Sequence, residues 1–169
     1  FESKKGEGTT FVIRIPFKID QDADKDKKQK NIAEKSIKDL KILLAEDNEL
    51  NMEIAEFILQ NEGASVTKAW NGQEAVEIFK KSRPDEVDII LMDIMMPVMN
   101  GYEAAKMIRT LDRDDAKTVP IIAMTANAFT EDRLRSKESG MNEHIAKPIN
   151  AKVLVKVISE LMENKEEDS

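Results

Sequence analysis

Val87–Met107, VDIILMDIMMPVMNGYEAAKM, is the stretch on which the reading of the whole chain turns. Its apolar run Ile89–Met92 predicts a strand buried on both faces, as a parallel sheet requires. The strand delivers one carboxylate, Asp93, to its C-terminal end. Pro97 and the Asn100-Gly101 pair mark a turn, and a helix is expected from near Tyr102, with Ala105 and Ile108 inward. Ligands of open α/β sheets collect beyond the carboxyl ends of the strands, so Asp93 stands where chemistry is expected. Alone, a strand-end Asp is better explained as a loop cap, so the other strand ends must decide.

Upstream, Ile42–Ala45 reads as a strand closed by Glu46-Asp47-Asn48. The helix after it is expected to turn Leu50, Ile54, Phe57 and Ile58 to the core. Gly63 ends that region, and Ala64–Ala69 is a second, less apolar strand. Asn71-Gly72 opens a helix burying Ala75, Val76 and Phe79. Downstream, Pro120 precedes the strand Ile121–Met124, closed by Thr125. Phe129–Ser139 is helical by pattern but has only Phe129 and Leu134 to bury, which makes it a candidate moving part. Gly140 ends it. Asn142–Ala146 is the fifth strand, closed by Lys147-Pro148, and the last helix buries Val153, Leu154, Val157, Ile158 and Leu161. Short apolar runs alternating with amphipathic helices predict an α/β fold of five βα units around a parallel, doubly wound sheet.

Composition narrows the function. The 169 residues are 35% charged with a net charge of −7, which disfavours a general nucleic-acid or anionic-membrane surface. Cysteine is absent, so there is neither a disulfide framework nor thiol chemistry. No apolar run approaches membrane-spanning length and no signal peptide is visible. A cytoplasmic setting fits, with the parent protein free to be anchored in an inner membrane. The chain starts at Phe1 in mid-pattern and reads as a piece of something longer. Asp20–Asp39 holds six acidic and six basic residues and little apolar content, the balance of a solvated linker, with helix conceivable near Ile32–Ile37.

The strand ends give Glu46 and Asp47, then Asp93, Thr125 and Lys147. Converging carboxylates repel by about 4 kcal/mol per pair at 4 Å in an effective dielectric near 20. Such a cluster needs cations: Lys147 supplies one, and a divalent ion the rest. Carboxylate oxygens without histidine suit Mg²⁺. A hydroxyl and an ammonium facing such a carboxylate suit a transferring phosphoryl group, which an Asp can accept.

With ILLAEDNELN, IILMDIMMPVMNGYEA, MTA and KP in this order, the chain resembles the receiver domain of bacterial response regulators over residues 39–164. The resemblance implies the flavodoxin-like (βα)5 fold with strand order 2-1-3-4-5. It implies Asp93 as phosphoacceptor, with Thr125 and Lys147 on the phosphoryl oxygens. Asp47, Asp93 and the Met95 carbonyl would hold Mg²⁺ (or Mn²⁺), with Glu46 acting through a bound water, and the Lys147-Pro148 bond would be cis. Met95 and Asn127 would border the approach of a hydrolytic water and tune dephosphorylation. Thr125 would act as a switch together with the residue three before the lysine. That residue, commonly Tyr or Phe in the family, is His144, which is as well read as a satisfied, partly buried side chain.

Residues 1–17, FESKKGEGTTFVIRIPF, place Gly6, Gly8 and Thr9 before an alternating run Phe11–Ile15. They resemble the end of a histidine-kinase ATPase domain. The order implied is a kinase remnant over 1–19, a charged linker over 20–38, a receiver over 39–164 and an acidic tail over 165–169. That is the arrangement of a hybrid histidine kinase. Its expected partners are the parent kinase domain and a histidine phosphotransfer domain, with neither nucleic acid nor membrane touched by this stretch; a homodimer stays open. The kinase catalytic parts are not in this sequence, and no DNA-binding domain follows Asn164.

A haloacid-dehalogenase-like aspartyl-phosphate phosphatase would need a second Asp where Met95 stands. A flavin-binding module would need a phosphate-binding first loop where Glu46-Asp47 stand. A stand-alone single-domain regulator is a further alternative, and a degenerate docking-only receiver conflicts with the complete residue set. Met92, Met95, Met96 and Met99 read as core and loop filler, and Trp70 as a half-exposed packing residue.

Overall fold

The computed structural model describes residues 2–4, 6, 8–10, 36–126 and 130–167. It falls into two compact units, Phe1–Glu34 and Lys35–Ser169.

In the first unit, β1 (Glu2–Lys4) pairs antiparallel with β2 (Gly8–Thr10), Glu2 opposite Thr10 and Lys4 opposite Gly8. Gly6, at φ 88°, makes the turn between them. The expected turn at Gly6–Gly8 is therefore shorter, because Gly8 already belongs to a strand. The alternating run Phe11–Ile15 and the linker through residue 35 lie outside the described residues.

The second unit is a sheet of β3 (Lys41–Ala45), β4 (Ser65–Ala69), β5 (Ile89–Asp93), β6 (Ile121–Thr125) and β7 (Glu143–Ala146). The spatial order is β4-β3-β5-β6-β7, all parallel, which is 2-1-3-4-5 counted along these five strands. β5 is buried throughout. Alternate side chains feed two cores: Ile90 and Met92 pack with α2 (Gly72–Lys81) and α3 (Gly101–Arg109). Ile89 and Leu91 pack with α1 (Glu49–Asn61) and α6 (Ala151–Glu167). Period-2 side chains with helices on both faces make the sheet doubly wound.

Several helix faces differ from the sequence expectation. In α1 the buried residues are Met52, Ala55 and Leu59, whereas Leu50 and Phe57 are 64% and 66% exposed and Ile54 is exposed as well. Apolar residues lie around much of α1, so periodicity allowed two phases. The short connection Glu46–Asn48, ending in the Asn48 cap, sets which one meets the sheet. In α6, Leu154 and Ile158 are fully buried and Val157 and Leu161 partly so, but Val153 points outward. In α5 (Thr130–Glu138) Leu134 is exposed, and Ser136 with neighbouring Ser139 face inward. Phe129 lies outside the described residues. A one-turn helix, α4 (Asp115–Thr118), was not anticipated; it sits in the connection from α3 to β6. Ile37, assigned to the linker by composition, is fully buried in the core of the α1/α6 face. Among the described residues no helix is long and apolar enough to cross a membrane.

Candidate functional site

Parallel strands end on one edge of the sheet, so the register fixes which residues meet there. Ala45 pairs with Met92 and Asp93 with Met124, which brings Glu46-Asp47, Asp93 and Thr125 to neighbouring positions. Thr125 pairs with Ala146, one residue before Lys147, and the Lys147 N–H donates to the Thr125 carbonyl at 2.7 Å.

Asp93 and Glu46 are buried, Asp47 is exposed, and one carboxylate oxygen from each lies within 4.8 Å of the others. Lys147 Nζ bridges two of them, at 2.7 Å from Asp93 Oδ2 and 2.5 Å from Glu46 Oε2. The Met95 N–H donates to Asp93 Oδ1 at 3.2 Å. Burial pushes the Asp93 carboxyl above its usual range. Lys147, through its hydrogen bond and charge, and the Met95 N–H pull it down, while the Glu46 charge pushes it up; the net direction is up. Burial alone would lower Lys147, but its hydrogen bonds and charge contacts with Asp93 and Glu46 outweigh that and raise it. Asp93 and Glu46 thus share one ammonium, with the Asp47 carboxyl close by.

The close approach of the loop after β5 depends on two glycines. A Cβ on Gly101 would lie 2.2 Å from the Asp93 carbonyl oxygen, and one on Gly72 would lie 2.5 Å from the Met99 carbonyl oxygen. The Gly101 N–H donates to Ile94 O and the Gly72 N–H to Met99 O, so this loop lies flat against the end of β5 and the start of α2. Met92 and Met96 are core residues, but Met95 is 75% exposed beside Asp93.

The residue chemistry fits a hard divalent cation. Glu46 Oε2 is buried against the Lys147 ammonium, while Oε1 accepts from the Asn48 N–H and from Asn51 Nδ2. A cluster of three carboxylates, all offering oxygen, is what Mg²⁺ favours. His144 is not a member of the Glu46, Asp47 and Asp93 cluster. It lies opposite Ala123 on β7, half-buried, with Nδ1 2.8 Å from Glu143 Oε1. It lines a cavity with Ser136, Lys137, Met141 and Asn142. The Lys147-Pro148 peptide is cis. Asn127 lies outside the described residues.

Sequence patterning missed Asn48 and Asn51, whose backbone N–H and side-chain amide respectively donate to Glu46 Oε1. No periodicity marks them, although the spacing from the strand end to a helix cap contains them.

The family described as the response regulator receiver domain matches residues 42–159. Hybrid signal transduction histidine kinase I of Dictyostelium discoideum is 38% identical over 121 residues, covering 70% of this chain and 7% of that protein. The chain therefore spans a small part of that kinase. The receiver domain of the sensor histidine kinase PA1611 from Pseudomonas aeruginosa PAO1 was solved with a magnesium ion coordinated in the active-site cleft. It is 37% identical, with a TM-score of 0.67 over 74% of this chain and 98% of that one. A co-crystal of the Saccharomyces cerevisiae histidine phosphotransfer signaling protein Ypd1 with the receiver domain of Ssk1 gives 33% identity and a TM-score of 0.65, over 73% of this chain and 89% of that one.

Proposed function

We propose, from the premise that this chain belongs to the response regulator receiver domain family, that Asp93 accepts a phosphoryl group from a phosphohistidine. The chain would pass it to a histidine phosphotransfer domain or use it to regulate its parent, as the receiver of a hybrid histidine kinase. The observation that carries this reading is Lys147 Nζ held 2.7 Å from Asp93 Oδ2 within a cluster of three carboxyl groups at the strand ends.

In the transfer, an Asp93 oxygen forms the new bond to phosphorus while the bond from phosphorus to the imidazole nitrogen breaks. The electron pair leaves with the imidazole. Asp93 must be ionised to attack, and Lys147 opposes the upward push of burial on its carboxyl. As charge moves onto the phosphoryl oxygens, Lys147 and the Thr125 hydroxyl would bind them. Asp47, Asp93 and the Met95 carbonyl would hold Mg²⁺, or Mn²⁺ in its place, with Glu46 reaching it through water. The ion's chemistry there is to offset negative charge between the carboxylates and the phosphoryl group. Drawing Thr125 inward would bias α5, with His144 following into the space beside it.

The outward stripe of α1, Leu50, Ile54 and Phe57, offers the phosphotransfer partner an apolar seat near the acceptor. Residues 1–19 fit the end of a kinase ATPase domain, 20–38 a linker, 39–164 the receiver and 165–169 its tail. The setting would be cytoplasmic.

A small phosphodonor with Mg²⁺ should add one phosphate by intact mass, and Asp93→Asn or chelation should prevent it; full incorporation in Asp93→Asn would sink the assignment. The exposed Met95 side chain has no strong group with which to orient a hydrolytic water, whereas Asn127 could hydrogen-bond one. A Met95→Asn variant should accordingly lose the phosphate faster once the donor is removed.

A further inference from the structure

Four helices of the second unit begin alike. Asn48, Asn71, Asn100 and Asn150 stand before α1, α2, α3 and α6, and each side chain accepts the backbone N–H of the residue three further on. At α2 and α3 that residue is a glutamate. Glu103 reaches back to the Asn100 N–H in a complete capping box, and Glu74 accepts the Trp70 N–H at 2.8 Å. This is the ordinary chemistry of the position, an acceptor satisfying the free amides of a helix start. At α1, the helix that begins at the phosphoryl site, the residue is Asn51, and its side chain acts as a donor.

Asn51 Nδ2 donates to Glu46 Oε1 at 3.0 Å. A carboxylate only accepts, so the orientation of the amide follows from its partner. The Asn51 backbone is fixed in turn, its N–H bound to Asn48 Oδ1 at 3.1 Å. Glu46 Oε1 also takes the Asn48 N–H, at 3.4 Å, so Glu46 occupies the place that Glu103 fills at α3. The two oxygens of Glu46 therefore have separate tasks. Oε1 belongs to the start of α1, and Oε2, buried, pairs with the Lys147 ammonium. A glutamate at position 51 would add another carboxylate beside Glu46, whereas an alanine would free Oε1 to turn.

We propose that Asn51 is a positioning residue of the phosphoryl-transfer site, holding Glu46 by Oε1 so that Oε2 stays presented to Lys147 and to the bound divalent cation. This rests on the acceptor reading of Asp93. When Lys147 turns from Glu46 to a phosphoryl oxygen, Asn51 is the side chain that still holds the Glu46 carboxylate in place. An outer ligand of this kind acts on metal affinity through the residue it orients.

The test is a double-mutant cycle on the Mg²⁺ dissociation constant, measured by calorimetric titration of the unmodified protein, Asn51→Ala, Glu46→Gln and the double variant. Urea unfolding in chelator checks that each is folded. Asn51→Ala should weaken Mg²⁺ binding about tenfold, the lower end for an outer-shell partner. In the Glu46→Gln background the same change should have less than about a twofold effect, since there is no carboxylate left to orient. Unchanged affinity in Asn51→Ala, or the same weakening in both backgrounds, overturns the role of Asn51 and leaves the acceptor reading standing. If the unmodified protein neither binds Mg²⁺ nor gains a phosphate, the acceptor reading fails and the inference falls with it.

Discussion

As the proposed acceptor, Asp93 would work under opposing demands, because burial disfavours the ionised form that would attack. Its folded-state carboxyl is raised above the ordinary value of 3.8. A raised carboxyl favours the folded state fully below its unfolded pKa, and that contribution is lost as pH rises through the folded value. In metal-free protein, therefore, the stability of the unmodified chain relative to Asp93→Asn should fall as pH rises from 3.8 through the raised value. Urea midpoints at several pH values would show it, and a gap that does not change with pH would contradict it. Val98 carries a second local cost. It is β-branched, 84% exposed and held at φ 67°, a region that such side chains rarely adopt. Asn tolerates that conformation and little burial is lost, so Val98→Asn should stabilise the receiver unit by about 1 kcal/mol. An unchanged or lower urea midpoint would argue against strain at this residue.

Elements here are placed as much by polar clamps as by apolar faces. Arg109, at the end of α3, donates to Gly140 O at 2.9 Å, Ala116 O at 2.7 Å and Asn142 Oδ1 at 3.0 Å. It thereby ties the C-terminal end of α5 to α3 and α4. Arg113 does the same for α2, donating to the Phe79 and Ser82 carbonyls while paired with Asp115 at 2.6 Å. With Leu134 outward and serines inward, α5 depends on such a clamp. Arg109→Met should cost about 2–3 kcal/mol by stranding buried carbonyls, and amide exchange should accelerate most in α5. Uniform acceleration across the sheet would instead mean a global effect. In α1 the two faces predict opposite outcomes. Leu59→Ala should cost about 2–5 kcal/mol, because it empties a core position. Phe57→Ala should cost less than about 1 kcal/mol, as an exposed substitution does, yet slow transfer to a phosphotransfer partner. Comparable destabilisation by both would restore the phase expected from the sequence.

At the scale of the whole molecule, the second unit takes in Ile37, which is fully buried against the α1/α6 face. A chain starting at Ser36 should keep its cooperative unfolding and its phosphate uptake. One starting at Leu40 should lose about 2–5 kcal/mol, comparable to emptying a buried isoleucine site. Loss of cooperativity already at Ser36 would show that residues 1–35 contribute to the core.

The local order of residues was enough to determine the architecture and which side chains meet at the strand ends. A strand buried on both faces has a nearly continuous apolar run, and each of the five βα units carries its own run and break, so period alone separates strand from helix. Glu46, Asp47, Asp93, Thr125 and Lys147 were legible because a parallel sheet gathers its strand ends, whatever the distance along the chain. Tertiary structure alone decided the rotational phase of α1. Leu50, Ile54 and Phe57 make as good a stripe as Met52, Ala55 and Leu59, with Ile58 partly buried against the core as expected, and only the Asn48 cap and the surface of the sheet distinguish them. It also decided the division of Glu46 between helix and site, and the clamps of Arg109 and Arg113. Those contacts join residues with no shared period, through hydrogen bonds whose partners become neighbours only when the chain is folded.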